Sequence, residues 1–384
     1  MSLFHPNAPH LATLQPNAAM PGGEVALHGE RLGPLEGQLP TAQLGGTPAA
    51  VTLARTAQAN IRVPEGAISG DITLHRNGDT SNPLPLRVAV SMAENLHPVA
   101  NPAVDADGNV YATFSGPRGT AVPVSIFRIQ RDFQLLPFVR DLLNATGLAF
   151  DRNGFLYASS RAEGAVYRIS PDGSISTYAE GLGVATGLAF DRDGNLFVGD
   201  RSGTIFKIAP PSTEPGAPSS ARLRTSEDET KVGSPADPAR IFVYATLEPS
   251  IAAYHLAFND QGTLFVTGPT TSSHQSIYAI DRDGNASIFF HGLGRAQGLA
   301  FDISGNLYVA ASYQGHQGIV RITPSAEASL AVSGANLVGL AFLEDGCATL
   351  ATRDSLYHID LGIEGRPAYL ISGIAAISNF PSCK

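Results

Sequence analysis

The stretch "ATGLAFDRNGFLYASS", Ala145 to Ser160, is answered forty residues later by "ATGLAFDRDGNLFVGD", Ala185 to Asp200. Repetition at such a period marks a fold assembled from copies of one unit, so its extent decides the architecture. Related forms start at Asn101 ("NPAVDADGNVYATFS"), Tyr254 ("YHLAFNDQGTLFVTG"), Gln297 ("QGLAFDISGNLYVAA") and Val338 ("VGLAFLEDGCATLAT"). The six copies are mostly spaced by 40 to 46 residues, with one longer interval between the third and the fourth.

Each copy follows one plan. A short apolar strand ("GLAFD") meets an Asp- or Asn-containing turn closed by Gly, which suits the positive-φ positions of a tight hairpin. A second strand follows ("NLFVG", "NLYVA"), then a polar loop and a third strand: "SIFRIQ", "AVYRIS", "TIFKIA", "SIYAID", "GIVRIT", "SLYHID". Further turns lead to a fourth: "QLLPFV", "ISTYAE", "IFVYAT", "SIFFHG", "SLAVSG" and "AYLISG". Four antiparallel strands in about 45 residues make one blade of a β-propeller. A lone blade leaves two apolar faces wet, whereas stacking blades around an axis buries both. The expected class is therefore all-β, with a six-bladed propeller over residues 93–384.

These strands resemble NHL-repeat propellers and, more broadly, the six-bladed gluconolactonase and senescence-marker-protein superfamily. Residues 1–92 do not fit the repeat. Their alternating runs ("EVALHG", "AAVTLA", "ANIRVP", "DITLHR", "LRVAV") between Gly and Pro predict a small β-sandwich. The "PGGEVALHGERLG" and "LGGTPA" segments resemble an IPT/TIG domain, an immunoglobulin-like fold that implies a spacer or an interaction module with a protein partner. "LRVAV" is assigned to that sandwich, because "AYLISG" supplies an outer strand for the last blade. The insertion 209–240 is rich in Pro, Ser, Thr and charge and reads as a flexible loop.

Composition narrows the function. A formal charge of −9 does not attract a phosphate backbone, so no nucleic-acid partner is expected. No apolar run is long enough for a transmembrane helix. The start "MSLFHPNAPH" has no recognisable signal peptide, yet the pairing of the two domain types implies an exported bacterial protein, periplasmic or extracellular. Two cysteines, Cys347 and Cys383, are read as unpaired thiols, with a bridge as the alternative.

In the propellers this chain resembles, the functional mouth is where the first strands begin. The aligned positions here are Asn101, Thr146, Thr186, Tyr254 with His255, and Gln297. The gluconolactonase resemblance implies a divalent metal held by carboxylates at that mouth. Only Asn101 stands in an equivalent place, so no cofactor is expected, and a channel metal is kept as the alternative. The recurrent Asp–Gly turns read as structural rather than as calcium loops. Arg161, Arg201 and Arg353 follow the second strands, with Arg118 near the same level. They would either hold an anionic ligand or pair with Asp200, Glu163 and Asp354. Tyr313, with His316 and His274, could complete a polar pocket, and His255 is the one ionisable group at a first-strand start. The sequence thus favours a recognition protein over an enzyme, with a small molecule, peptide or protein bound at the channel mouth. A gluconolactonase-like hydrolase and a cell-envelope adhesion protein are the alternatives.

Overall fold

The computed structural model describes residues 8–210, 221–222, 240–268, 270–272, 274–343 and 345–366. All regular structure among them is β, without a helix, and its arrangement is that of a propeller. The repeat units fold as antiparallel ladders in the order predicted. The second, for example, runs Ala145–Phe150, Leu156–Ser160, Ala165–Ile169 and Ile175–Glu180.

Five of these sheets stand separately, rather than the six expected. The strands of the repeat that starts near Gln297 (Leu299–Phe301, Leu307–Tyr313, His316–Ile322 and Ala328–Ser333) do not form a sheet of their own. Their outer strand pairs in parallel with Ala18–Ala19, which also pairs with Leu84–Val88, so this repeat and the N-terminal strands form one thirteen-stranded sheet. Met20 N donates to Ser333 O at 2.8 Å and Glu24 N to Ser333 Oγ at 2.9 Å, which tightens the join. The N-terminal strands enclose an apolar core of their own, built on Leu11, Leu27, Ile61, Ile72, Leu74 and Leu86. The alternation of Glu24–Glu30 turns Val25 and Leu27 inward, as its period of two requires.

The last sheet corrects a second expectation. Its strands Leu337–Phe342, Cys347–Thr352 and Leu356–Asp360 take their fourth partner from Val90–Ala93, ahead of the first repeat. "LRVAV" is thus divided: Leu84–Val88 stays with the N-terminal strands, and Val90 opens the strand that ties the two ends of the repeat array together. "AYLISG" lies outside the described residues. Of the insertion 209–240, Ala221–Arg222 adds a short parallel strand to the edge of Ile175–Glu180. Cys347 is buried and disulfide-bonded rather than a free thiol; Cys383, the only other cysteine, lies outside the described residues.

Aromatic pairs join neighbouring sheets. The first-strand phenylalanine of one sheet meets a second-strand ring of the sheet before it, edge to face. The pairs are Tyr111–Phe150, Tyr157–Phe190, Phe197–Phe258, Phe265–Phe301 and Tyr308–Phe342, at 4.9–5.1 Å between centroids. Each adds about 0.5–1.5 kcal/mol beyond simple burial. At the closing joint the aligned residues are Thr349 and Val104, neither of them aromatic. The tie there comes from Val90–Ala93, which precedes the first repeat in the chain and pairs with Leu356–Asp360 of the last sheet.

Candidate functional site

Apart from Asn101, the predicted residues at the starts of the first strands do not line the cavity; they tie neighbouring segments to one another. Thr146 and Thr186 are buried. Thr186 Oγ1 donates to Gly199 O at 2.8 Å and accepts from Tyr254 N at 3.1 Å, while Ser159 Oγ donates to Thr186 O. Asn101 Nδ2 donates to Leu299 O at 2.8 Å, and its Oδ1 accepts from Leu340 N at 3.1 Å. Gln297 Nε2 donates to Leu337 O at 3.2 Å, and Tyr254 OH to Glu248 O.

Glycine permits this convergence. A Cβ on Gly147 would overlap the Thr186 carbonyl oxygen, one on Gly187 the Tyr254 carbonyl oxygen, and one on Gly298 or Gly339 the Asn101 side chain. The inner strands therefore close together at the end where the sequence suggested an open mouth. In the fourth sheet His255 takes the place of that glycine. It is 3 % exposed, and desolvation lowers its pKa to about 4, so its imidazole is neutral at neutral pH.

The remaining predicted residues lie apart from the axis. Tyr313 ends the strand Leu307–Tyr313 and packs against Phe290, ring centroids 6.2 Å apart, while His316 and Arg353 are exposed. Arg161 donates through Nη2 to Gly116 O at 3.0 Å, and Arg201 through Nη2 to Ile251 O at 2.7 Å. Neither pairs with the carboxylate beside it in sequence. Asp200 accepts from Val184 N at 2.7 Å and from Ser202 Oγ, and Glu163 accepts from Tyr167 OH at 2.9 Å.

The cavity opens at the other end, among the first hairpin turns. It measures about 710 Å³, and of the ten predicted site residues only Asn101 reaches it, at its floor. Its walls are the ends of the inner strands, including Phe150, Phe190, Phe258, Phe301 and Phe342. Each inner strand stands at one end of its sheet, so its outer edge turns main-chain N–H and C=O groups toward the axis.

Six cationic side chains line this cavity (Arg152, Arg168, Arg192, Lys207, Arg282 and Arg366) against four carboxylates: Asp105, Asp151, Asp191 and Asp193. Three of those acids are engaged by their own turns. Asp151 Oδ1 accepts from Asn153 N at 2.8 Å and Phe155 N at 2.9 Å; Asp191 and Asp105 repeat the pattern. Gly154 and Gly194 complete these turns at φ of 78° and 82°. The Asp–Gly turns are thus structural, and among the described residues no three His, Cys, Asp or Glu side chains are grouped to hold a metal ion.

Two of these cations are placed over rings. Arg168 Cζ lies 3.5 Å from the Phe155 ring centroid with its Nε buried and unpartnered, and Lys207 Nζ lies 5.7 Å from the Phe197 centroid. Burial, reinforced by Asp151, raises the Tyr157 phenol well above its ordinary value, so it stays protonated beside Arg168. Repeated basic residues in the third strands ("VYRI", "IFKI") and arginines inside the "DRNG" and "DRDG" turns carried this signal in the sequence.

A segment with no sequence signal edges the mouth. Beyond Leu356–Asp360, Gly365 bridges to Asp302, Arg366 N donates to Phe301 O at 2.9 Å, and Ile303 N donates to Glu364 O at 3.1 Å. Gly365 rests on Phe342 so closely that a Cβ there would overlap that side chain. Arg366 Nη2 reaches Asp260 Oδ1 at 2.6 Å, and the same oxygen takes Arg192 Nη2 at 3.1 Å. This strap links the last sheet to the fourth along the rim.

No protein family's sequence profile matches the chain, and no curated protein is recognisably related to it. Solved structures are similar to it. One is an auxiliary nutrient binding protein from Bacteroides thetaiotaomicron, with a TM-score of 0.50 and 12 % identity over 93 % of this chain and 99 % of that one. Another, assigned provisionally as a gluconolactonase, has a TM-score of 0.54 and 16 % identity over 73 % and 93 %. A third is a gluconolactonase from Xanthomonas campestris, with a TM-score of 0.50 and 17 % identity over 71 % and 89 %. At such identities the likeness establishes a β-propeller fold and nothing finer.

Proposed function

We propose that this chain is a recognition protein whose central cavity holds a small organic anion with an apolar body, entering from the hairpin-turn face. The observation that carries this reading is the cavity of about 710 Å³, apolar in its walls and lined by six cationic side chains against four carboxylates, in a chain whose formal charge is −9. Pockets of that size, with a few convergent polar groups on apolar walls, suit small molecules. Cations concentrated locally in an acidic protein favour a negatively charged guest. The gluconolactonase-like alternative would need grouped metal-binding side chains, and among the described residues no three His, Cys, Asp or Glu are so grouped.

In this reading the strands Leu299–Phe301 to Ala328–Ser333 serve as a sixth sector of the ring, and residues 1–92 form an immunoglobulin-like accessory domain. The disulfide at Cys347 supports a location in an oxidising, exported compartment.

The test uses 3-phenylpropionate and its neutral counterpart 3-phenylpropanol, titrated calorimetrically into the wild-type chain and the Lys207→Glu variant. The carboxylate is expected to bind at least about tenfold more tightly than the alcohol, and Lys207→Glu to remove that preference. Absence of binding by both probes, or an unchanged preference in the folded variant, would overturn the proposal.

A further inference from the structure

We propose a second site, at the closed end of the ring, where Arg118, Arg161 and Arg201 together take an oxyanion group, phosphate or carboxylate, of a small ligand. Arg161 and Arg201 occupy the same position in consecutive sheets, just past Leu156–Ser160 and Leu196–Asp200. The loop bearing Arg118 is fixed to Arg161. Arg161 Nη2 donates to Gly116 O at 3.0 Å, and buried Asn144 donates to Gly116 O and Pro117 O while accepting from Gly119 N at 2.6 Å. Backbone contacts run on from the Arg161 loop to Arg201. Leu182 N donates to Gly164 O at 2.9 Å, Val184 N to Asp200 Oδ1 at 2.7 Å, and Arg201 N to Val184 O at 3.3 Å.

Three arginines brought to one edge would ordinarily be neutralised by acids. Here Asp200 and Glu163 are engaged elsewhere, and among the described residues none of the three arginines is in an ion pair. Arg161 Nε is buried with no acceptor. Burial and the charges of Arg201 and Arg118 lower the Arg161 pKa, the direction expected of a cation without a counterion. An oxyanion supplies what is lacking: negative charge, and acceptor oxygens in the fork geometry that guanidinium groups match.

Inorganic phosphate and citrate, each titrated calorimetrically against sodium chloride at equal ionic strength, test this on the wild-type chain and on Arg118→Gln, Arg161→Gln and Arg201→Gln. At least one oxyanion is expected to bind where chloride does not, and each substitution to weaken it by about tenfold or more. Binding of phosphate alone assigns a phosphate ester, and of citrate alone a polycarboxylate. Because Arg118 is exposed, its variant keeps the test open if Arg161→Gln does not fold. Oxyanions no better than chloride, or full affinity retained in Arg118→Gln and Arg201→Gln, would overturn the proposal.

Discussion

His255 sits where the second, third, fifth and last repeats have glycine, and its enclosure makes a quantitative demand on stability. In the fold its imidazole titrates at about 4 through desolvation, against 6.5 for an exposed histidine. The unfolded chain therefore binds this proton more readily than the native one. The contribution to stability is complete above pH 6.5, falls as the pH drops toward 4, and is gone below that. Fully developed, the difference is worth about 3 kcal/mol, of which about 2 kcal/mol is already lost at pH 5.

Urea denaturation of the wild-type chain and of His255→Gln at pH 7 and pH 5 isolates the effect. His358, also depressed by burial, is present in both proteins and cancels. The wild type is expected to lose about 2 kcal/mol more than the variant over that interval. Imidazole resonances read by NMR give an independent check, with one histidine that does not titrate above pH 5. Parallel losses in the two proteins, or a His255 that titrates near 6.5, would refute the claim that the channel is shut at this end.

Two further outcomes follow from the geometry. Gly187→Ala drives a methyl group into the Tyr254 carbonyl, backbone that has little room to yield, and should cost about 1–3 kcal/mol by denaturant titration. Asp260→Asn removes the carboxylate shared by Arg192 and Arg366; since both Asp260 and Arg192 are more than half exposed, global stability should change by less than about 1 kcal/mol. Amide exchange at Ile303 and Arg366 should nevertheless accelerate by about fivefold, which locates the change in the strap.

Sequence alone determined the unit of construction. The hairpin turns, strand alternation and repeat length are set by neighbours a few residues apart, so Asp151 with Gly154, or Asp191 with Gly194, can be read directly. The candidate site was only partly legible. The arginines past the second strands were visible as a group, but not the absence of acid partners, because Asp200 and Glu163 are captured by groups that only folding brings near. Thr146 and Thr186 lie at the start of inner strands and Gln297 just before one, yet which end of a ring stays open depends on how closely all its strands converge. Gly147, Gly187, Gly298 and Gly339 remove the bulk that would keep them apart, while phenylalanines line the cavity at the opposite ends. The same holds for Val90–Ala93, whose partner lies more than 260 residues away in the chain. Local chemistry wrote the repeats; ring closure, a property of all the strands at once, decided where the cavity opens.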